Sequence, residues 1–120
     1  SFKAAFEFFN SRFPDKKSSA IVCSSWIFNT QFEEPLPDSN MVKFMRELYL
    51  YPVVSNGTDG MFFVFCKNFV NIAEAPRKTS LQKAMLGILE SGRKLRSGGM
   101  AFFIEDLDKF GTQPYRKLEA

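Results

Sequence analysis

Apolar residues recur at helical spacing in two stretches of the chain. The first stretch predicts a helix over residues 2–13, which the following proline ends, and consists of Phe2, Ala5, Phe6, Phe9 and Phe13. The second predicts a helix before Gly92 and consists of Leu81, Ala84, Met85, Ile88 and Leu89. The run Thr79-Ser-Leu-Gln82 ahead of it has the form of a capping box. Each helix therefore has an apolar face that must pack on other elements.

Four short apolar runs predict strands, at residues 19–26, 47–54, 61–67 and 99–104. Turn-forming residues at 55–60 indicate a hairpin between the second and third strands. Pro52 predicts an edge position or a bulge, because proline cannot donate to a strand ladder. We expect four aromatic side chains to be largely buried: Trp26, Phe63, Phe65 and Phe102.

Two short helices complete the order of elements. Residues 29–34 predict one helical turn, and residues 40–46 predict a helix with Asp38 or Ser39 as its N-cap. The order is then helix, strand, two short helices, strand, strand, helix and strand. It predicts an α+β fold with a mainly antiparallel sheet flanked by helices.

Composition narrows the class of protein. The chain has 120 residues, of which 45% are apolar and 15 are phenylalanine, so we expect a single domain over residues 1–120. Residues 105–120 are polar and predict a peripheral tail. No apolar run is long enough to span a bilayer and no export leader is evident, so we expect a cytoplasmic protein without a membrane partner.

The residue types also limit the chemistry. Histidine is absent, which excludes a Ser-His or Cys-His nucleophile pair within these residues. Cys23 and Cys66 are far apart and lie in apolar runs, so we expect reduced, buried cysteines and no metal site. The net charge is +3, and no helix-turn-helix or RNA-binding motif is present, so we expect no nucleic-acid partner.

Two runs carry a resemblance to a known family: Cys23-Ser-Ser-Trp-Ile-Phe28 and Leu36-Pro-Asp-Ser-Asn-Met-Val-Lys-Phe44. The chain resembles the GNAT-like C-terminal domain of bacterial acyltransferase-type proteins, in which an SWLLDPQL-like run precedes an LPxSNIxxF-like run. The resemblance covers about residues 2–104. It implies a GNAT-like fold, an excised C-terminal domain whose partner is the N-terminal domain of the same protein, and acyl-CoA as cofactor.

The resemblance also implies a pocket at the end of the first strand. Its candidate residues are Ser25, Trp26, Asp38, Ser39, Asn40 and Arg46. The alternative is structural, since helix capping and core packing explain the same residue types.

A basic run is the candidate for holding the phosphates of coenzyme A. GNAT enzymes use a glycine-rich loop at a helix N-terminus, and the nearest match is Arg93-Lys-Leu-Arg-Ser-Gly-Gly99. The cofactor candidates in it are Arg93, Lys94, Arg96, Gly98 and Gly99. This run follows a helix and precedes a strand, which departs from the GNAT pattern. The alternative is a basic loop with a Gly-Gly turn.

Two functions remain open at this point. The first is transfer of an acyl group from acyl-CoA to an amine in the intact protein, with Glu47, Tyr49 and Tyr51 as conceivable proton-handling groups. The second is a non-catalytic GNAT-like module that serves domain packing, homodimerisation or small-ligand binding. No catalytic motif decides between them.

Overall fold

Three antiparallel strands form the sheet, and the last strand of the chain lies in the middle. A computed structural model describes residues 1–67 and 71–116. The strands are β1 (Ala20–Ser25), β2 (Tyr49–Pro52) and β3 (Gly98–Phe103), and the helices are α1 (Phe2–Arg12), α2 (Asn40–Met45), α3 (Met61–Phe65) and α4 (Ser80–Glu90). Short 3-10 helices cover Trp26–Phe28, Thr30–Phe32 and Ile104–Lys109. The predicted α+β class with a mainly antiparallel sheet is confirmed.

The register brings the ends of the outer strands together. Both β1 and β2 run antiparallel to β3, so Ser25 and Pro52 each pair with Gly98, the first residue of β3. The C-terminal ends of the two outer strands therefore meet at one end of the sheet. Pro52 lies on an edge strand, as predicted.

The long helices begin where the sequence predicts. Thr79 Oγ1 accepts a hydrogen bond from the Gln82 amide, and the Gln82 side chain accepts one from the Thr79 amide, each at 3.1 Å. This is the predicted capping box of α4. Helix α1 ends at Arg12, and its Phe2 ring stacks on Phe102 with ring centroids 4.3 Å apart.

The prediction of a strand at residues 61–67 is wrong, and so is the predicted hairpin that includes this strand. Residues 61–65 form α3, which begins after Gly60 at φ 88° and ends at Cys66 at φ 60°. A short continuous apolar run fits one buried strand and one helical turn equally well, and local pattern does not separate them. The sheet consequently has three strands in the described residues rather than four.

The core lies between the sheet and the helices on its Phe102 side. Its largest fully buried side chains include Phe32, Met45, Met85, Leu86 and Phe102. Phe65 and Phe102 are buried, as predicted. Phe63, predicted to be buried, is 71% exposed because it lies on the outer side of α3, and Trp26 is only partly buried.

Both cysteines are exposed, contrary to the prediction. Cys23 lies in β1, an edge strand on which few other residues pack. Cys66 lies at the end of α3 instead of inside a strand. The predicted peripheral tail begins within the 3-10 helix Ile104–Lys109, and its Asp106 is buried. Residues 117–120 of that tail lie outside the described residues. No helix among the described residues is long and apolar enough to cross a membrane.

Candidate functional site

Two clefts open at the end of the sheet where β1 and β2 finish. The first, here called the Trp26 cleft, has a volume of about 580 Å³ and is lined by Ser24, Ser25, Trp26, Asp59, Phe63 and Ser97, among others. The second, here called the Tyr51 cleft, has a volume of about 210 Å³ and is lined by residues 28–30, 50–53 and 96–98. Ser97 lines both clefts, so they are neighbours at one end of the sheet.

The wall of the Trp26 cleft is aromatic. The Phe63 ring lies nearly parallel to Trp26, with centroids 5.8 Å apart and 14° between the ring planes. Gly60 approaches the indole so closely that a Cβ there would lie 2.6 Å from it. The rim is polar, and the Asp59 carboxylate accepts hydrogen bonds from the Asn56 and Gly57 amides at 2.8 and 3.3 Å. The cleft thus combines a flat apolar wall with a closed polar loop.

The Tyr51 cleft is shaped by two consecutive buried glycines. A Cβ on Gly98 would lie 2.0 Å from the carbonyl oxygen of Phe28, and a Cβ on Gly99 would lie 2.2 Å from the Tyr51 ring. The Ser97 amide next to them donates to the Ser55 hydroxyl at 2.9 Å. The two glycines therefore allow close packing of strands and turns, which is a different use from an open cradle of amides for phosphate.

The basic run of the sequence is exposed beside these clefts. Arg93, Lys94 and Arg96 are all exposed, and Arg96 lines the Tyr51 cleft. The backbone of the run is fixed, because Gln31 donates to the Lys94 carbonyl at 3.1 Å and the Leu95 amide donates to Gly57 at 3.0 Å. Within residues 1–67 and 71–116, none of the three cations forms a salt bridge. Their charges are available to an anion in solvent.

The other predicted pocket residues serve the α2 turn. Ser39 Oγ accepts a hydrogen bond from the Val42 amide at 3.2 Å and caps α2, while Asn40 is the exposed first residue of that helix. Arg46 donates to the Pro37 carbonyl at 3.3 Å. Of the predicted pocket set, Ser25 and Trp26 line the Trp26 cleft and the α2 residues line neither cleft.

Two of the three predicted proton-handling residues are neighbours, since the ring centroids of Tyr49 and Tyr51 lie 6.4 Å apart, and the third, Glu47, bonds to backbone amides. Tyr51 lines the cleft named after it. Tyr49 is 46% exposed and meets Tyr115 edge to face, with ring centroids 5.5 Å apart. Glu47 is buried, and its Oε1 accepts hydrogen bonds from the amides of Gly111 and Gln113, each at 2.9 Å.

The family model of the GNAT-like C-terminal domain matches residues 1–102. The chain belongs to this family. The resemblance seen in the sequence is thereby confirmed, and solved structures agree with it. An acyltransferase in complex with decanoyl-CoA is 28% identical with a TM-score of 0.72, and the match covers 86% of this chain and 33% of that one.

Two further solved structures have the same TM-score of 0.72 and 27% identity. One is an acyltransferase mutant in complex with octanoyl-CoA, matched over 83% of this chain, and the other is an acyltransferase in complex with CoA and 10C-teicoplanin, matched over 84%. The GNAT-like domain spans about a third of the length of these chains. None of the curated proteins matches it significantly. The predicted GNAT-like fold is therefore confirmed.

A third concavity of the GNAT-like domain lies away from the predicted site residues. This groove of about 510 Å³ is lined by Phe2, Phe44, Phe102 and Phe110, with Lys3 at its edge. It lies toward the C-terminal end of β3, whereas the two clefts lie at the N-terminal end. None of the predicted site residues lines this groove.

The GNAT-like domain holds its last described residues with buried carboxylates. Tyr115 donates a hydrogen bond to the carboxylate of Asp106, which is 4% exposed. That hydrogen bond raises the pKa of Tyr115 to about 12, with smaller contributions from burial and from the Asp106 charge. Glu47 anchors the segment after β3 to the body of the domain through Gly111 and Gln113, and Asp106 joins two parts of that segment. Sequence reasoning missed this role, because nothing local in the sequence marks a contact between Glu47 and Gln113.

No group of three or more acidic or cysteine side chains in the described part of the chain is arranged to hold a metal ion.

Proposed function

We propose that this domain is the acyl-CoA-binding, GNAT-like part of an acyltransferase, and that the intact protein transfers the acyl group to an amine. The observation that carries the proposal is the similarity to acyltransferases in complex with octanoyl-CoA and decanoyl-CoA, at 27–28% identity and a TM-score of 0.72. The chain spans about a third of their length, so the reaction belongs to a larger protein.

In this proposal the two clefts bind different parts of acyl-CoA. The phosphates of coenzyme A are anionic, and Arg96 with Arg93 and Lys94 supplies exposed cationic donors beside the Tyr51 cleft. The parallel Trp26 and Phe63 rings supply an apolar wall on which an acyl chain can pack. Since Ser97 lines both clefts, one ligand can contact both regions.

The reaction itself is acyl transfer between a thioester and an amine. The amine nitrogen attacks the thioester carbonyl carbon, the carbon–sulfur bond breaks, and coenzyme A leaves as a thiolate. One proton leaves the amine nitrogen and one proton reaches the thiolate. In our proposal the Tyr51 hydroxyl donates the second proton, because Tyr51 is the candidate that lines a cleft at the sheet end. Solvent accepts the first proton and returns one to the Tyr51 phenolate.

The test uses the intact natural protein, octanoyl-CoA and a panel of primary amines. Product is followed by mass, because exposed Cys23 and Cys66 would react with a thiol reagent used to detect free coenzyme A. Loss of one charge-assisted contact to phosphate is worth about 1.5–3 kcal/mol, so Arg96→Ala should raise the dissociation constant of coenzyme A about 10- to 100-fold. Arg96→Lys should recover part of this loss.

Arg12→Ala is the matched control, since Arg12 is an exposed arginine in the last turn of α1. It should leave the affinity for coenzyme A unchanged. An acylated amine together with an Arg96-specific loss of affinity supports the proposal. Unchanged affinity in Arg96→Ala would contradict the assignment of the phosphate contact, and absence of any acylated amine would contradict the enzyme function.

A second function is a GNAT-like module that binds or packs without catalysis. The position of Glu47 favours it, because the carboxylate that the sequence offers as a proton acceptor is buried and already bonded to two backbone amides. Binding of acyl-CoA by the intact protein without turnover of any amine would support this second function.

A further inference from the structure

The outer edge of β1 is open. Because the Ile104 amide donates to Ser19 at 2.8 Å, the alternation of an antiparallel ladder turns the amides of Ile21 and Cys23 toward β3. The backbone groups of the alternate residues Val22 and Ser24 then point away from the sheet. In the part of the chain that the structure describes, these outward backbone amides have no hydrogen-bond partner.

The middle of this strand is open as well. Val22 is 66% exposed, and the two residues that follow it, Cys23 and Ser24, are also exposed. The strand has the sequence AIVCSS, which contains neither a charged residue nor a proline. Exposed edge strands of stable monomers are usually protected by such residues or by being very short. The other edge strand, β2, has four residues and carries Pro52.

The sheet face that contains Val22 is apolar too. Residues paired across the ladder share a face, so Val22 lies beside Ala101 and Tyr49. Tyr49 is 46% exposed, whereas Met100 and Phe102 on the opposite face are 4% and 1% exposed. The strand residues on the Val22 face include no charged side chain: Ala20, Val22, Ser24, Tyr49, Tyr51, Gly99, Ala101 and Phe103. An uncharged face next to an unpaired edge is suited to pairing with a further strand.

We propose that a β-strand from the polypeptide that precedes this domain in the intact protein pairs with the outer edge of β1, so that side chains of the added strand pack beside Val22. Two observations identify this occupant. The family is a C-terminal domain, so its partner sequence lies on the N-terminal side. The solved chains that match it extend over about three times the matched length, which leaves ample polypeptide to supply a strand. The proposal does not depend on acyl transfer.

The test compares two exposed valines in the intact natural protein. Val22→Lys should lower the melting temperature by about 3 °C or more, because lysine would replace the apolar contact between Val22 and the added strand, and a lysine in an edge strand opposes the pairing of a further strand. Val54→Lys is the matched control: Val54 is 96% exposed in a loop, so its replacement should change the melting temperature by less than about 2 °C.

Residue-resolved hydrogen exchange on the unmodified intact protein gives a measurement that does not depend on whether a variant folds. If β1 is paired on both sides, the Val22 and Ser24 amides exchange as slowly as those of Ile21 and Cys23. If the edge is free, they exchange about 100-fold faster or more, and that result, or a Val22→Lys variant as stable as Val54→Lys, overturns the proposal. Protection that grows with protein concentration, together with the mass of a dimer in light scattering, would assign the edge to a second copy and also overturn it.

Discussion

Replacing Gly98 by alanine tests the packing that holds the Tyr51 cleft together. The added methyl group would lie 2.0 Å from the Phe28 carbonyl oxygen and 2.9 Å from its carbonyl carbon, closer than side chains are found to approach. The obstacle is backbone, and Phe28 and Asn29 are 4% and 2% exposed, so the turn cannot swing aside freely. Overpacking of this kind costs about 3 kcal/mol. For a domain of this size the melting temperature should fall by about 10 °C.

The matched control is Gly87→Ala. Gly87 is an exposed residue inside α4, and a Cβ there would meet nothing within 4 Å. Alanine in a helix interior is more stable than glycine by about 0.5–1 kcal/mol, so this variant should melt about 2–4 °C higher. Both are measured by thermal unfolding followed by circular dichroism. A Gly98→Ala variant that melts within 1 or 2 °C of the parent, roughly the uncertainty of such a transition, would refute the close approach of β3 to Phe28.

Two predictions concern the carboxylates that anchor the segment after β3. Glu47→Ala should lower the free energy of unfolding by about 2 kcal/mol, because the amides of Gly111 and Gln113 lose a charged acceptor, and Glu47→Gln should recover part of it in urea unfolding. Full stability with lost turnover in Glu47→Gln would instead make it a proton acceptor. The pKa of Tyr115 is raised from 10.0 to about 12, so its contribution to stability is complete below pH 10 and is lost between pH 10 and 12. Tyr115→Phe should abolish that part of the alkaline decline in the urea midpoint, and an unchanged decline would contradict the hydrogen bond to Asp106.

The helices could be predicted because their signals are local. Thr79 and Gln82 are three residues apart, and the side chain of each accepts a hydrogen bond from the backbone amide of the other. Four consecutive residues are therefore enough to predict the start of α4. Ser39 acts in the same way at α2. Such contacts need no knowledge of the rest of the fold.

Helix α3 could not be predicted in the same way. Met61-Phe-Phe-Val-Phe65 is apolar at every position, so it has neither the period of a helix nor that of a surface strand. What decides the outcome is tertiary: the left-handed backbone at Gly60 places it against Trp26, and α3 packs near α4. Because α3 could not be predicted, the position of Phe63 in the wall of the Trp26 cleft could not be predicted either.

The candidate site was predicted in part for the same reason. Ser25 ends β1 and Trp26 follows it directly, and the end of a strand is visible in sequence, so the sequence predicts both residues near a pocket. Asn40 lies within the family motif and Arg46 just after it, but Asn40 is the exposed first residue of α2 and Arg46 caps its end and donates to Pro37. A family motif contains residues that stabilise the fold and residues that take part in chemistry. Only the positions of these residues in the structure show which role each has.

The Gly98-Gly99 pair is an example of motif-like residues that serve the fold, and this affects how the proposed site can bind phosphate. A glycine-rich phosphate loop binds through backbone amides at a helix N-terminus, where the dipole adds to the attraction. Here the glycines lie buried in β3, so the proposed function assigns the phosphates to the side chains of Arg93, Lys94 and Arg96. Salt at 0.1 M screens exposed side-chain charges over about 10 Å. Amides that enclose an anion are screened much less, because salt ions do not enter between them and the anion. In the proposed function such a site holds the phosphates less tightly at high salt than an amide cradle does, and acyl-CoA gains further affinity where its acyl chain packs on Trp26 and Phe63.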